Sequence, residues 1–343
     1  MGAAGGVPIG AAPATPSAAG PAPAAGEGPR EAPLFRAQQF HNQPEESHIH
    51  GFLVRLWDGV RRDTGGLLDV TVHARCGDIP GSDPEALRMV QDGRLEFHTL
   101  MGGILGKAVA VTEMQGLPFA FRDHAHVFAA MDGPFGRYLA EACARSGILM
   151  LPEATFENGF RHFGASFGPV TAAADLAGRN VRVPDGEMFR DFVRALAAEP
   201  VTVNIRELYQ ALATGRAAVQ ENALVVMQVN RLYEVSRFLS LTGHMWSGFN
   251  LIGHLPFWVR LPPTIQAVVR RHARAAAEAQ RAHTKALNDR MVDELSARGM
   301  IVNQADAETF RAALARDGFY ARWRARFGEE AWAALEAATG PLG

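Results

Sequence analysis

At 343 residues the chain is longer than one hydrophobic core ordinarily supports, so two domains are expected. An apolar share of 48% and a charged share of 20% are ordinary for a soluble globular protein, and a net charge of −2 gives no basis for a nucleic-acid partner or an anionic membrane surface. No apolar run reaches the roughly 18 residues that a membrane-spanning helix needs.

Residues 1–32 are almost all Ala, Gly and Pro, with no charge before Glu27. Such a segment builds no core and is expected to be disordered. It lacks the basic start and Leu-rich run of a signal peptide. Residues 34–40 read as a first strand. A helix follows over 48–62, with Ser47 as N-cap and Phe52, Leu56 and Val60 on one face, and ends at Thr64-Gly65-Gly66. Residues 67–73 alternate as a second strand. This strand–helix–strand opening implies a partly parallel sheet with helices on its faces. Asp83-Pro84 opens the next helix, and 95–101 is a strand running into Gly102-Gly103. The run Gly102-Gly-Ile-Leu-Gly-Lys107 is not a phosphate loop. Met101 stands where the first glycine belongs, and Ala108 replaces the hydroxyl residue that meets magnesium.

Asp123 caps a helix through Met131, a helix over 135–146 follows, and 148–151 is a buried strand. Residues 153–159 read as a crossing into a second lobe that repeats the pattern. Its strands are 160–163, 181–184 and 201–203, and its helices start after Gly186 and at Arg206, the latter stopping at Gly215. Residues 224–231 read as helical, and 248–253 as a returning strand. One helix is expected over 264–297, with Ile265, Val268, Val269, His272, Ala276, His283, Leu287, Met291 and Leu295 in one stripe. At 1.5 Å per residue it is about 50 Å long. A last helix spans 310–327, and residues 333–343 are expected to fray.

Catalytic signatures are missing. There is no Gly-x-Ser-x-Gly turn, no His-Glu-x-x-His helix and no Gly-x-Gly-x-x-Gly after a strand. No enzyme, metal or cofactor is expected. The two cysteines, Cys76 and Cys143, leave two readings open: one disulfide, or two buried thiols. The informative stretch lies between Asn158 and Asn222. In Val181-Arg182-Val183-Pro184, alternation sends the valines to one face and Arg182 to the other. A buried arginine needs an anion, either an internal carboxylate or a ligand.

The run Asp175-Leu-Ala-Gly-Arg-Asn-Val-Arg-Val-Pro184, then Glu207-Leu-Tyr-Gln-Ala-Leu212 and Gln220-Glu-Asn222, resembles the solute-binding proteins of TRAP transporters, the DctP-like family. Asp63-Thr-Gly-Gly66, Leu117-Pro-Phe-Ala-Phe-Arg-Asp123, Met131-Asp-Gly-Pro134 and Leu261-Pro-Pro263 fit in the same order, over about residues 34–330. The resemblance implies a two-lobe, periplasmic-binding-protein-like (type II) α/β fold, with mixed sheets flanked by helices and a long helix bridging the lobes. Lobe I would hold 33–158 and about 248–287. Lobe II would hold 159–247 and about 288–332. It also implies the function: capture of an organic acid between the lobes, in the periplasm, and delivery to TRAP membrane subunits by a monomer. The alternatives are a sensor of the same fold serving a receptor, and an enzyme.

By the same resemblance Arg182 grips the ligand carboxylate, assisted by Arg161 and Asn222, with Glu221 beside them. His41, Asp83 and Met101 line the first-lobe wall. Trp246 and Phe249, which follow the Ser240-Leu-Thr-Gly-His244 run, have two readings from the residues themselves: a cover over an apolar part of the ligand, or ordinary core aromatics. The rim departs from the family pattern. Ala217-Ala-Val219 replaces Val-Asp-Gly, Ala223 a proline, Ile205 a phenylalanine, and Pro84 a basic residue.

Overall fold

The computed structural model describes residues 1–2, 34–75, 79 and 82–342. The expectation for the Ala/Gly/Pro segment falls almost wholly on residues 3–33, and the pairing of Cys76 also falls outside the described residues. Cys143 is a buried free thiol 3.9 Å from the Met150 sulfur.

The first block is β1 (Phe35–His41), α1 (His50–Asp63), β2 (Leu68–His73), α2 (Asp83–Gln91) and β3 (Phe97–Met101). β1 pairs in parallel with both β2 and β3. α1 buries Leu53, Leu56, Trp57 and Val60, the spacing of one helical face. It ends at Gly65 and Gly66, both at positive φ, where glycine carries no steric cost. Its N-cap is Ile49 rather than Ser47, without a side-chain cap. After β3 come a one-turn helix α3 (Gly102–Leu105), α4 (His124–Met131), capped by Asp123 as expected, and α5 (Pro134–Arg145). The glycines of the rejected phosphate loop serve packing. A Cβ on Gly103 would stand 2.5 Å from the Phe189 ring.

The second block repeats the first. β5 (Asn180–Val183), α6 (Glu187–Ala195), β6 (Glu199–Thr202), α7 (Ile205–Ala213) and β7 (Val219–Ala223) place β5 in parallel between β6 and β7. Two long antiparallel strands join the blocks: β4 (Ile148–Ala165, 18 residues) and β8 (Phe238–His254, 17 residues). The sequence reading divides each of them. Pro152, Gly159, Gly243 and Gly248 look like breaks, yet the strands continue through register shifts at Met150/Thr155, Glu157/Gly159 and Arg161/Phe163. One half of β8 pairs with β3, and β7 pairs with the far half of β4. A short β9 (Ile301–Gln304) runs parallel to the start of β8. The sheet order is β2-β1-β3-β8-β4-β7-β5-β6, with β9 attached to β8. This is a two-lobe mixed α/β fold with helices on the sheet faces.

Next come α8 (Leu224–Val229), α9 (Leu255–Arg260) and α10 (Pro263–Ala297), 35 residues long, which packs on β4, α1 and α8. Its buried stripe differs from the expected one at mid-length. Ala273, Ala277, Gln280 and Thr284 are buried, whereas His283 is exposed. Here the helix crosses the joining strands, and small or polar side chains let the backbones approach. Two further corrections concern the C-terminus. The single helix expected over 310–327 is two, α11 (Ala307–Asp317) and α12 (Phe319–Phe327), divided at Gly318, which sits in the left-handed region. The expected frayed end is a helix, α13 (Glu329–Thr339), that buries Trp332 and Leu335 and packs on α4 and α5. Its Ala-, Glu- and Leu-rich sequence favours helix.

Candidate binding cleft

Parallel strands deliver their C-terminal ends to one side of a sheet, and the loops there are the usual place for a ligand. Here the C-terminal ends of β1, β3, β5, β6 and β7 and the middle of β4 converge on one cavity, to which β8 adds Phe249. It offers about 150 Å³ to the centres of water molecules. Asn42, Gln43, Asp83, Met101 and Ile104 line one side, and Asn158, Arg161, Arg182, Asn204 and Asn222 the other.

Val181 and Val183 are fully buried in the core, and strand alternation turns Arg182 to the cavity. Arg182 is only 2% exposed. Its Nε donates to the Val203 carbonyl at 2.8 Å. Among the described residues no carboxylate lies within ion-pair reach of it. Burial lowers its pKa to about 10, with Glu221 and Asp83 countering and Arg161 adding to the effect. The guanidinium stays charged at neutral pH.

Arg161 has a different environment. On β4 it is a diagonal cross-strand neighbour of Glu221 on β7, since Glu221 pairs directly with Phe163. Its Nη2 donates to Glu221 Oε1 at 2.8 Å and to the Glu221 carbonyl at 2.6 Å, and its Nε donates to Oε2. Nη2 also reaches Asn222 Oδ1 at 3.2 Å, and Nη1 reaches Ser247 Oγ at 3.4 Å. Burial acts to raise the Glu221 carboxyl, but the Arg161 charge together with the polar contacts of His244 and Arg161 outweighs it, and the pKa falls below the ordinary value. Behind Glu221, 3.6 Å away, is Nε2 of His244, whose ring stacks against both Phe163 and Phe192.

Asp83 stands on the opposite wall, at the first turn of α2. Its Oδ2 accepts from Asn42 Nδ2. Its Oδ1 has no hydrogen-bond partner among the described residues and lies 3.6 Å from His98 Nε2. The His98 Nδ1 is 2.9 Å from the Phe40 carbonyl, so a neutral His98 carries its proton there and turns a lone pair to Asp83. Burial raises the Asp83 pKa to about 7, against the opposing effects of Asn42, Arg182 and Arg206.

The model of the family described as "DctP: Bacterial extracellular solute-binding protein, family 7" matches residues 40–319. The chain belongs to the DctP family. A solute-binding protein of Verminephrobacter eiseniae is 30% identical over 257 residues, covering 75% of this chain and 76% of that protein. An uncharacterized Sinorhizobium fredii protein is 31% identical over 250 residues, which are 72% of this chain but only 45% of that protein. The structure of a TRAP periplasmic solute-binding protein from Polaromonas sp. JS666, bound to D-erythronate, is 29% identical. It superposes with a TM-score of 0.83, covering 90% of this chain and all of the other.

Of the residues singled out in sequence, this DctP-family chain brings Arg182, Arg161, Asn222, Asp83, Met101 and Phe249 to the cavity. Glu221, His41 and Trp246 are not in its lining. Glu221 is engaged by Arg161. His41 pairs with His50, Nε2 to Nδ1 at 2.9 Å, and burial, with His50, His98 and His48 adding to it, lowers its pKa to about 3. Trp246 is a core aromatic that donates to Glu157 Oε1 at 3.0 Å and packs edge-on against Phe121 and Phe128. Sequence reasoning missed Asn42, Gln43, Asn158 and Asn204. Asn42 and Gln43 directly follow β1, so the strand-end rule alone points to them.

Proposed function

We propose that this protein captures an organic acid between its lobes and hands it to the membrane subunits of a TRAP-type transporter. The observation that carries the reading is Arg182: a buried, charged guanidinium at a cavity wall, with no carboxylate in ion-pair reach among the described residues. A charge held out of water this way is costly unless an anion arrives. A carboxylate fits, because its two oxygens match the planar fork of the guanidinium. Asn222 adds donor and acceptor atoms next to it.

The site residues and the lobe boundaries, near Asn158 and near Trp246, are part of this proposal. So are the periplasmic location, which the Polaromonas neighbour's description supports, the monomeric state and the absence of turnover. Among the described residues no helix is long and apolar enough to cross a membrane. A thermal-shift screen of organic acids tests the reading. An acid at 100 times its Kd adds about 2.7 kcal/mol of stability. Shifts by carboxylates that vanish in Arg182→Ala are expected. A screen with no carboxylate hit, or hits independent of Arg182, would sink it.

A further inference from the structure

We propose that the ligand is a monocarboxylate, and that Asp83 selects it by rejecting a second carboxylate at the end remote from Arg182. This rests on the acid-binding reading of the same cleft and narrows it.

The charges around the cavity make the first argument. Two cations line it, Arg161 and Arg182. Arg161 is matched by Glu221 at hydrogen-bond distance, which leaves Arg182 as the cation available to an anion. Two carboxyls line it as well: Asp185, held by Lys107 and Arg190 at 3.0 Å each, and Asp83 on the opposite wall, which has no cation within ion-pair reach among the described residues apart from the neutral His98. One ligand carboxylate therefore satisfies Arg182. A second would meet no unpaired cation among the described lining residues, and would face Asp83. Placing like charges side by side out of water strongly disfavours binding.

The surroundings of Asp83 make the second argument. Its Oδ2 accepts from Asn42 Nδ2, while its Oδ1 is enclosed by protein, has no hydrogen-bond partner among the described residues and lies 3.6 Å from the Nε2 of His98. The carboxylate charge is thus met by one neutral amide, and a second carboxylate brought beside it finds nothing to offset the repulsion. At about 10–15 Å³ per water-sized group, the 150 Å³ cavity holds a ligand on the order of ten non-hydrogen atoms.

The test uses acid pairs that differ at one carbon. D-Erythronate and meso-tartrate, and D-gluconate and D-glucarate, differ only in carrying a terminal hydroxymethyl group or a second carboxylate. Titration calorimetry on the wild type near pH 8 should show the monoacid of at least one pair bound at least about tenfold more tightly, about 1.4 kcal/mol. Asp83→Asn, with apo melting recorded, should shrink that preference at least about tenfold, mostly by strengthening the diacid.

A second arm needs no variant. Lowering the pH from about 8 to about 6 protonates Asp83, so the wild-type preference should shrink. Among the described residues, His98, lowered to about 4 mainly by burial, stays neutral over that range, and Arg182, lowered to about 10, stays charged. A preference unchanged in Asp83→Asn and flat with pH overturns the proposal, as does a diacid bound as tightly as its monoacid. Arg182-dependent binding of other carboxylates, with neither pair bound, overturns it and leaves the acid-binding reading standing. No Arg182-dependent carboxylate at all overturns both.

Discussion

Arg161 and Arg182 are both buried arginines at one cavity, and their substitution should have opposite consequences. Arg161→Ala strands Glu221 as an unpaired buried charge, a loss of about 3–5 kcal/mol of stability. Arg182→Ala strands no internal charge and leaves only the Val203 carbonyl without its donor, a loss of about 1–3 kcal/mol. It should lower apo stability less than Arg161→Ala does and weaken acid binding at least about a hundredfold. Arg182→Lys should also bind weakly, since an ammonium lacks the two parallel donors of the fork. Calorimetry with apo urea melts on the three variants decides this. An Arg182→Ala protein that binds normally, or that melts as poorly as Arg161→Ala, contradicts the assignment. Asp83 gives a pH test with a definite sign. Its folded pKa, about 7, lies above the ordinary carboxyl value near 4. The native state therefore binds the extra proton, and its stabilising effect is full below about pH 4 and lost as the pH rises through about 7. Asp83→Asn stays neutral throughout, so its apo melting temperature should gain on wild type across that window. A difference that is flat with pH, or falls, removes Asp83 as the cause. At this scale the sequence was half legible. Alternation in Val181-Arg182-Val183 correctly turned Arg182 away from the core. Which arginine has an internal partner was not legible, because Glu221 meets Arg161 only through the pairing of β4 with β7.

Local signals located the short elements well and the joining ones poorly. The parallel β7 and β9 are not read as strands, whereas β1, β2, β3, β5, β6 and the extent of α10 are legible because each carries one periodicity between clear stops. β4 and β8 are not, because their glycines and Pro152 mark register shifts inside a strand rather than its end. α13 is hidden for the reverse reason: a helix-favouring sequence near a terminus reads as a loose end, although Trp332 and Leu335 anchor it. The mid-helix change in α10 follows from the same joint. Gln280 Oε1 accepts from the Glu157 backbone N–H at 2.8 Å, and Gln280 Nε2 donates to the Glu157 carbonyl at 2.7 Å. These backbone groups sit at the register shift between Glu157 and Gly159. Gln280→Ala leaves both without their partner, and each unsatisfied buried group costs about 1–3 kcal/mol. Urea melts should show a loss within that range or somewhat above it, although Gln280 is absent from the cavity lining. A change below about 0.5 kcal/mol, typical of inert surface sites, would mean that water replaces the side chain and that the clamp is not structural.

For the whole molecule, ligand capture by two lobes requires them to part and close, and one wall of the cavity shows where closure is tightest. Next to Ile104 and Asp185, Lys107 meets Asp185 at 3.0 Å, and Glu113 accepts from the Met188 N–H at 2.9 Å at the start of α6. Gly103 and Gly186 come so close that a Cβ on Gly186 would lie 2.6 Å from the Gly103 carbonyl oxygen. Gly186 itself has φ −139° and ψ 148°, an extended conformation open to any residue. Its glycine is therefore required by the approach of the other lobe, not by its own backbone. Gly186→Ala should leave each lobe folded and hold the lobes apart at this edge. The backbone oxygen it meets cannot swing away as a side chain end does, whereas the Phe189 ring, 2.8 Å from the same Cβ, can turn once the lobes separate. Acid affinity should fall at least about tenfold. Small-angle scattering should show the wild type contracting on saturation with a bound acid and the variant contracting less. Wild-type affinity together with wild-type contraction in Gly186→Ala would mean that the two glycines do not meet during closure. No contraction in either protein would favour a rigid pocket reached without lobe motion.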